Sequence, residues 1–224
     1  MSYDQPTLTV SGAWPILRVQ VGLLQELPFA GNSWTTAIYK TALDGVVVVN
    51  DSGIVGDEHT GSGPDPERAL CCCPVDHYGY WRTTLKLDLP LGIFGENLTL
   101  AEATEENVCI GDTLRCGTML VQVSQPRMPC YKQARRIGQP DFVRRIMATG
   151  RLGFLLRVLT PGTFQVGDVL TLVDRPHPDV SVASVVRAFR SPTDRIAAAQ
   201  MSNLARLAPE WRKEFAKRIT TSLE

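Results

Sequence analysis

The sequence has 224 residues, of which 44% are hydrophobic and 21% charged, so it has the composition of a globular protein with one sizeable domain. Lys and Arg together number 23, as do Asp and Glu, and this zero net charge argues against a general attraction to nucleic-acid polymers. Because no apolar run reaches about 18 residues and residues 1–10 do not resemble a signal peptide, we expect a cytoplasmic protein without a membrane partner.

The beginning of the chain predicts short strands separated by turn residues. Residues 16–24 alternate between apolar and polar side chains, as in a half-buried strand. Residues 35–41 and 46–49 are rich in β-branched and apolar side chains, which favour strands. Asp44-Gly45 lies between these two segments and predicts a hairpin turn that pairs them.

The middle of the chain continues this pattern with one helix inserted. A short strand is expected at 68–73, and a short helix over 74–85 in which Tyr78 and Trp81 pack on the core. Further strands are expected at 97–100, 113–116, 119–124, 154–159 and 169–173. Many short strands at this spacing indicate a β-barrel rather than a doubly wound sheet, so the fold class is mainly β with α.

Helices dominate the rest of the sequence. Residues 139–149 predict a helix with Pro140 in its first turn and Gly150 after its end. After the proline-containing linker at 175–178, the tail turns helical. Three short helices are expected there, near 182–189, 192–199 and 209–219, with Ser181 and Ser191 as caps of the first two. This tail predicts a separate small module.

Six cysteines occur, at positions 71, 72, 73, 109, 116 and 130. In a reducing compartment they are expected to be thiols rather than disulfides. Three consecutive cysteines on a strand point to alternating sides, so they do not converge on one ion. Because the chain has no CxxC pair and three histidines, no structural zinc site is predicted.

The segment around Cys130 suggests chemistry most strongly. Pro126 and Pro129 hold the chain extended, Arg127 precedes the cysteine by three residues, and Lys132 follows it by two. Nearby cations stabilise a thiolate, which is the form that attacks electrophiles or binds a soft metal. A buried inert thiol behind a rigid turn is the alternative, and the spacing alone does not separate the two.

Two further segments are chemically suggestive. In residues 92–98, GIFGENL, the glycines allow close backbone approach or positive φ, and the polar pair Glu96 and Asn97 lies against apolar neighbours. An ordinary turn is the alternative there. Residues 149–153, together with Arg157, could place guanidinium groups on a phosphate, and a helix end followed by a strand is the alternative.

Taken in order, the fragments FGENL, IGD, VSQPRMPCYK, GRLGFLLRVL and GDVL resemble the MOSC domain family, and more narrowly its YiiM-type members. The resemblance runs from about residue 68 to residue 173 and includes the stretch RALCCCPVDHYGYW. The C-terminal helices are similar to the three-helix domain of the same proteins. The resemblance implies a MOSC-type β-barrel domain over 1–176 and a three-helix module over 177–224. It also implies that the barrel binds a molybdenum cofactor (molybdopterin).

The resemblance further implies roles for individual residues. Cys130 matches the metal-ligating cysteine of the family, so we expect it to ligate molybdenum and to be the central catalytic residue. The other expected cofactor-binding residues are Glu96, Asn97, Arg127, Lys132 and Arg157. Of these, Arg127 and Arg157 suit the phosphate of the pterin, because a planar guanidinium binds phosphate through two donors.

The sequence departs from the family in one loop. YiiM-type proteins have a His-Gly-Gly-Pro-Asp loop before the Arg-Ala-Leu strand, whereas Gly61 stands here at the position of the histidine. Pro66 and Glu67 are extra residues before the strand. We expect His59, two residues upstream, to take the histidine's catalytic place through a different loop path. An ordinary loop histidine is the alternative.

The function implied by the resemblance is a molybdenum-cofactor-dependent reductase of N-hydroxylated small molecules, such as N-hydroxylated nucleobase analogues, with a detoxifying role. The chain has no flavin or nicotinamide motif and no iron–sulfur cysteine spacing, so a separate flavoprotein reductase is the expected electron donor. A homodimer through the helical tail is a further expectation. Two alternatives stay open: a carrier that binds the cofactor, or sulfur on Cys130, without catalysis, and an interaction protein with an inert barrel.

Overall fold

The computed structural model describes residues 12–29, 32–58 and 65–220. These residues form thirteen strands and six α-helices. The strands are β1 (Ala13–Gly22), β2 (Gln25–Phe29), β3 (Asn32–Thr36), β4 (Lys40–Leu43), β5 (Val46–Asn50), β6 (Gly53–Ile54), β7 (Leu70–Pro74), β8 (Leu98–Leu100), β9 (Thr113–Cys116), β10 (Met119–Pro126), β11 (Phe154–Thr160), β12 (Gly162–Gln165) and β13 (Val169–Asp174). The helices are α1 (Asp76–Leu85), α2 (Tyr131–Ile137), α3 (Phe142–Thr149), α4 (Val182–Arg190), α5 (Arg195–Ser202) and α6 (Pro209–Thr220).

Seven strands close into a barrel in the order β13-β9-β10-β11-β7-β8-β1, and β1 pairs back with β13. The pair β7–β8 is parallel, and α1 lies in the crossover that a parallel pair requires. Strand β4 extends the sheet along β1, while β12, β5 and β6 form a small second sheet and β2 and β3 a third. The prediction of a mainly β fold with a barrel and a helical tail is confirmed.

The barrel is filled by apolar side chains that point inward from alternate strand positions. Ile16, Leu98, Leu114 and Phe154 are all completely buried in it. The same hydrophobic cluster continues into the C-terminal helices, where Phe215 is also completely buried. The barrel and the helices therefore share one core, and the predicted division between residues 176 and 177 stays a prediction.

The predicted hairpin at Asp44-Gly45 is wrong. Gly45 does adopt a positive φ of 77°, so the local turn forms. However, β4 pairs with β1, and β5 pairs with β12 and β6. The predicted strand over 35–41 is likewise interrupted, between β3 and β4. A dipeptide specifies the turn but not the strand partners, which depend on burial elsewhere in the sheet.

Several helix boundaries also differ from the expected ones. Helix α3 begins at Phe142, so Pro140 precedes it instead of lying in its first turn. Helix α5 is capped by Asp194, whose carboxylate accepts a hydrogen bond from the Ala197 N–H at 3.0 Å, and not by Ser191. Ser181 caps the start of α4, as expected. Across the described ranges, no helix is long and apolar enough to cross a bilayer.

Candidate functional site

The candidate residues gather where β10 ends and β11 begins, at the pair Pro126 and Phe154. A short link follows β10 and leads into α2, a helix that was not predicted. The loop before β8 lies against this link, because the carbonyl of Phe94 accepts hydrogen bonds from Arg127 and from Gln133 Nε2, the latter at 3.1 Å. Two segments that are far apart in the sequence thus meet at one end of the barrel.

Cys130 is the residue that caps the N-terminus of α2. Its backbone is extended, with φ −129° and ψ 161°, and its side chain is exposed. Its backbone N–H donates to Gln133 Oε1 at 3.1 Å, and Gln133 itself is 1% exposed. The backbone of Cys130 is therefore fixed by a buried amide while the thiol remains accessible. The alternative of a buried inert thiol is excluded by this exposure.

Arg127 is a buried cation within the electrostatic range of several thiols. Burial would lower the pKa of Arg127, but its interactions with Cys71, Cys73, Glu96 and Cys130 together raise that pKa. Burial raises the pKa of Cys71 and of Cys73, so these two thiols stay protonated. Arg127 is buried and interacts electrostatically with the accessible thiol of Cys130. Stabilisation of a Cys130 thiolate by this cation stays a prediction.

Glu96 supports the loop before β8 from inside. It is completely buried, and its Oε1 accepts hydrogen bonds from the Tyr78 hydroxyl, from the Gly92 N–H at 3.0 Å and from Thr99 Oγ1 at 2.9 Å. Its Oε2 has no hydrogen-bond partner among the described residues. Gly92 and Gly95 have φ values of 92° and 79°, which confirms that this loop needs glycine.

Asn97 links the strand of three cysteines to an ion pair that sequence reasoning missed. Its Oδ1 accepts from the Cys71 N–H at 3.0 Å, and its Nδ2 donates to Asp57 Oδ2 at 2.7 Å. Asp57 in turn binds Lys40, whose Nζ lies 2.6 Å from Oδ1. Burial lowers the pKa of Lys40, although Asp57 opposes that shift. A lone lysine after a short apolar run was the only signal in the sequence.

Two cations of α2 bind backbone carbonyls of segments that lie far away in the sequence. Lys132 Nζ donates to the carbonyl of Thr35 at 3.0 Å. Arg136 donates to the carbonyls of Ile38 and Gly92, the latter at 2.6 Å. Arg136 is half-buried, so these bonds hold it against neighbouring segments instead of on a solvated helical face.

Arg157 lies at the junction between the barrel and the C-terminal helices. Its Nε donates to Glu67 Oε2 at 2.9 Å, and its other nitrogens donate to Gln122 Oε1 at 2.9 Å and to the Arg206 carbonyl at 2.8 Å. The guanidinium is therefore engaged with three protein groups, and these contacts do not include the residues around Cys130. Phosphate binding by Arg157 stays a prediction.

Five predicted site residues come together at one end of the barrel: Glu96, Asn97, Arg127, Cys130 and Lys132. His59 and Gly61 lie outside the described residues, so a catalytic role for His59 stays a prediction.

The side chains that gather at this end of the barrel fit the chemistry of a molybdenum cofactor. An accessible thiol is a soft ligand for the metal, and cations on the link and on α2 suit the anionic phosphate of the pterin.

Comparison with known families identifies both parts of the chain. The MOSC domain model matches residues 56–171, and the model described as YiiM-like, 3-alpha helix domain, matches residues 180–221. The first match covers every predicted site residue from His59 to Arg157, and the second covers the three C-terminal helices.

Individual relatives agree with these matches. YflK of Bacillus subtilis is 35% identical over 212 residues, which cover 92% of this chain and 94% of that protein. A protein named Reductase from Gibberella moniliformis is 39% identical over 181 residues, which are 79% of this chain but 32% of that protein. The crystal structure of YiiM from Geobacillus stearothermophilus has a TM-score of 0.79 at 33% identity, covering 92% of this chain and 99% of that one. The chain therefore belongs to the MOSC domain family, as a YiiM-like member with a C-terminal three-helix domain.

Proposed function

We propose that this protein is a molybdenum-cofactor-dependent reductase of N-hydroxylated compounds, such as N-hydroxylated nucleobase analogues, and that it detoxifies them. The observation that carries the proposal is the exposed thiol of Cys130 beside the buried guanidinium of Arg127. MOSC domains are generally associated with binding of the molybdenum cofactor. A relative that bears the name Reductase supports redox chemistry over simple storage of the cofactor.

The reaction defines what the site must supply. Reduction of an N–OH group to N–H consumes two electrons and two protons, breaks the N–O bond and releases the oxygen as water. A bound molybdenum cofactor supplies the two-electron chemistry. In this proposal Cys130 would hold the metal through its sulfur, beside the buried guanidinium of Arg127. Lys132 binds the phosphate of the cofactor, while Glu96 and Asn97 hold the surrounding loops in place.

The electrons come from outside this chain in the proposal, through a flavoprotein reductase. The proposal of a separate donor rests on the sequence, which has no flavin or nicotinamide motif and no iron–sulfur cysteine spacing. A cytoplasmic setting belongs to the proposal as well, since a working thiolate requires a reducing compartment. The proposal also includes a homodimer that forms through the C-terminal helices.

The test compares two cysteine variants in protein purified from a host that makes the molybdenum cofactor. Cys130→Ser is expected to lose bound molybdenum and reduction of 6-hydroxylaminopurine, while its unfolding free energy stays within about 1 kcal/mol because serine is a favoured N-cap. Cys109→Ser, at a buried thiol beside the C-terminal helices, is the matched control and is expected to keep both properties.

The outcomes separate the candidate functions. Metal analysis and turnover with reduced dye or flavoprotein donors are measured on the same preparations. Wild-type protein without molybdenum would contradict both the reductase and the cofactor carrier. Bound molybdenum without turnover, across several donors and N-hydroxylated substrates, would favour the carrier.

A further inference from the structure

An aromatic cluster flanks the candidate thiol. It consists of Trp34 on β3 and of Tyr131 and Arg135 on α2, and we refer to it as the ring cluster. The two ring centroids are 6.2 Å apart at an interplanar angle of 47°. The guanidinium carbon of Arg135 lies 5.0 Å from the Trp34 centroid and 4.7 Å from the Tyr131 centroid. Tyr131 directly follows Cys130 in the chain and is 55% exposed.

The position of Trp34 depends on the hairpin that carries it. Strands β2 and β3 form a two-stranded sheet of their own, separate from the barrel sheet. Lys132 joins this hairpin to α2, since its Nζ lies 5.8 Å from the Trp34 centroid and donates to the carbonyl of Thr35 at 3.0 Å. The indole is therefore held beside the segment that bears Cys130, by cation–ring contacts and by a hydrogen bond.

The exposure of the ring cluster is unusual for this chain. The chain has four tryptophans, and the other three are buried, with exposed fractions of 4% for Trp14, 1% for Trp81 and 7% for Trp211. Trp34 is partly exposed and contributes to neither hydrophobic core cluster. The exposed parts of these two rings, which the cations hold in place, provide a preformed surface for a flat ligand, since every nucleobase offers a π-face for stacking.

We propose that Trp34 and Tyr131 form the specificity site for the ring of the substrate, so that a planar heteroaromatic N-hydroxylated base stacks on them beside Cys130. The inference rests on the proposed function and adds the substrate class: bases with an aromatic ring are favoured over N-hydroxylated compounds without one. Arg135 acts as a positioning residue, because it contacts both rings and fixes the angle between them.

The first test measures binding without turnover. Full-length protein is titrated by calorimetry with 6-hydroxylaminopurine, with adenine and with N-hydroxyurea, which has no ring. Trp34→Leu and Tyr131→Leu are expected to weaken binding of the two purines about tenfold, within the range of one lost stacking contact. Trp34→Phe and Tyr131→Phe, which keep a ring, are expected to stay within about threefold of wild type.

Tyr80→Leu is the matched control. Tyr80 is also an exposed aromatic residue with an arginine over its ring, since Arg151 lies 4.4 Å from its centroid, but it is on α1. This variant is expected to bind purines as wild type does.

The second test measures turnover. Trp34→Leu and Tyr131→Leu are expected to raise KM for 6-hydroxylaminopurine about tenfold with kcat within about twofold, and to leave KM for N-hydroxyurea unchanged.

The outcomes distinguish this inference from the proposed function. Purine affinity that is absent in wild type, or equal in wild type and both leucine variants, would overturn the specificity site even if the reductase activity is real. Equal losses on purines and N-hydroxyurea, with a lower melting temperature, would show that the rings only hold the hairpin and would also overturn it. Purine binding that depends on the rings, in a protein that reduces nothing, would support the specificity site and contradict the proposed function.

Discussion

Lys40 and Asp57 form an ion pair in which the lysine side chain is completely buried and the carboxylate is 10% exposed. Lys40 Nζ lies 2.6 and 2.8 Å from the two carboxylate oxygens, and the Gly22 N–H donates to Oδ1 at 2.7 Å. Removal of two charges from water costs several kcal/mol, which is offset only when both charges are paired and hydrogen-bonded. Asp57 meets that requirement. It also accepts a hydrogen bond from Asn97, which in turn binds the backbone of Cys71 on β7 and so helps to position that strand.

Replacement of one partner of this pair is expected to be costly. Lys40→Met leaves the Asp57 carboxylate without its cation, and we expect a loss of roughly 2–4 kcal/mol in unfolding free energy. The double variant Lys40→Met with Asp57→Asn removes both charges and is expected to recover at least half of that loss. Urea denaturation of the two variants and of wild type measures both effects. A single variant as stable as wild type would show that the pair does not contribute to folding.

At the level of elements, Glu105 connects helix α1 with the beginning of β11. Its Oε2 lies 3.1 Å from His77 Nε2, and its Oε1 accepts from the Gly153 N–H at 2.5 Å. His77 is 2% exposed, so its ring lies in the interior with Glu105. Burial raises the pKa of Glu105, but the hydrogen bond and charge of His77 and the Gly153 N–H outweigh burial, so the pKa is lowered overall.

This lowered pKa predicts a pH dependence of stability. The folded-state pKa of Glu105 lies below its ordinary value of 4.5, so the carboxylate stabilises the folded protein above that pH. The contribution is lost as the pH falls through the folded pKa. The variant Glu105→Gln has no carboxylate and therefore lacks this stabilisation at every pH. The difference in unfolding free energy between wild type and variant is expected to shrink below pH 4.5. Urea denaturation across this range tests the prediction, and a difference that grows on acidification would contradict it.

Elements with local signals could be predicted from the sequence, and elements fixed by distant contacts could not. The strands at 113–116 and 119–124 form β9 and β10, which pair through a turn at Gly117, and Gly150 ends α3 with a φ of 74° as expected. Helix α2 was missed although Gly138 ends it with a φ of 73°, because it has seven residues and its N-cap, Cys130, is not a usual capping residue. Its position also depends on bonds from Gln133 to Phe94 and from Arg136 to Gly92, which lie at least 39 positions away. Such contacts leave no periodicity in the sequence.

The same distinction applies to the candidate site. Cys130 and its neighbouring cation Arg127 could be found because prolines and charges lie within four positions of the thiol. The ion pair of Lys40 and Asp57, and the approach of Trp34 to α2, bring together residues from separate parts of the chain, and neither is marked by a local motif. The resemblance to the MOSC domain supplied the role of the thiol as a metal ligand, which spacing alone left open.

On the scale of the whole molecule, the barrel and the C-terminal helices are joined by backbone hydrogen bonds as well as by packing. The Ala208 N–H donates to the Ser124 carbonyl at 2.9 Å, and the Val182 N–H donates to the Val108 carbonyl at 2.8 Å. Arg157 adds its bond to the Arg206 carbonyl. These contacts run from the barrel strands and loops to the beginning of α4 and to the residues that precede α6, so we expect the two parts to unfold together.

A pair of alanine substitutions in the helical segment tests this cooperativity. Leu207 is completely buried in the shared core, so Leu207→Ala is expected to cost about 2–5 kcal/mol. Ile196 is 85% exposed, so Ile196→Ala is the control and is expected to change stability by less than about 0.5 kcal/mol. Because one core spans both parts, calorimetry of Leu207→Ala should show a single transition at a lower temperature, by roughly 2–4 °C per kcal/mol. A second, separate transition in that variant would mean that the helices unfold independently of the barrel, and that the contacts between Ala208 and Ser124 do not couple the two parts.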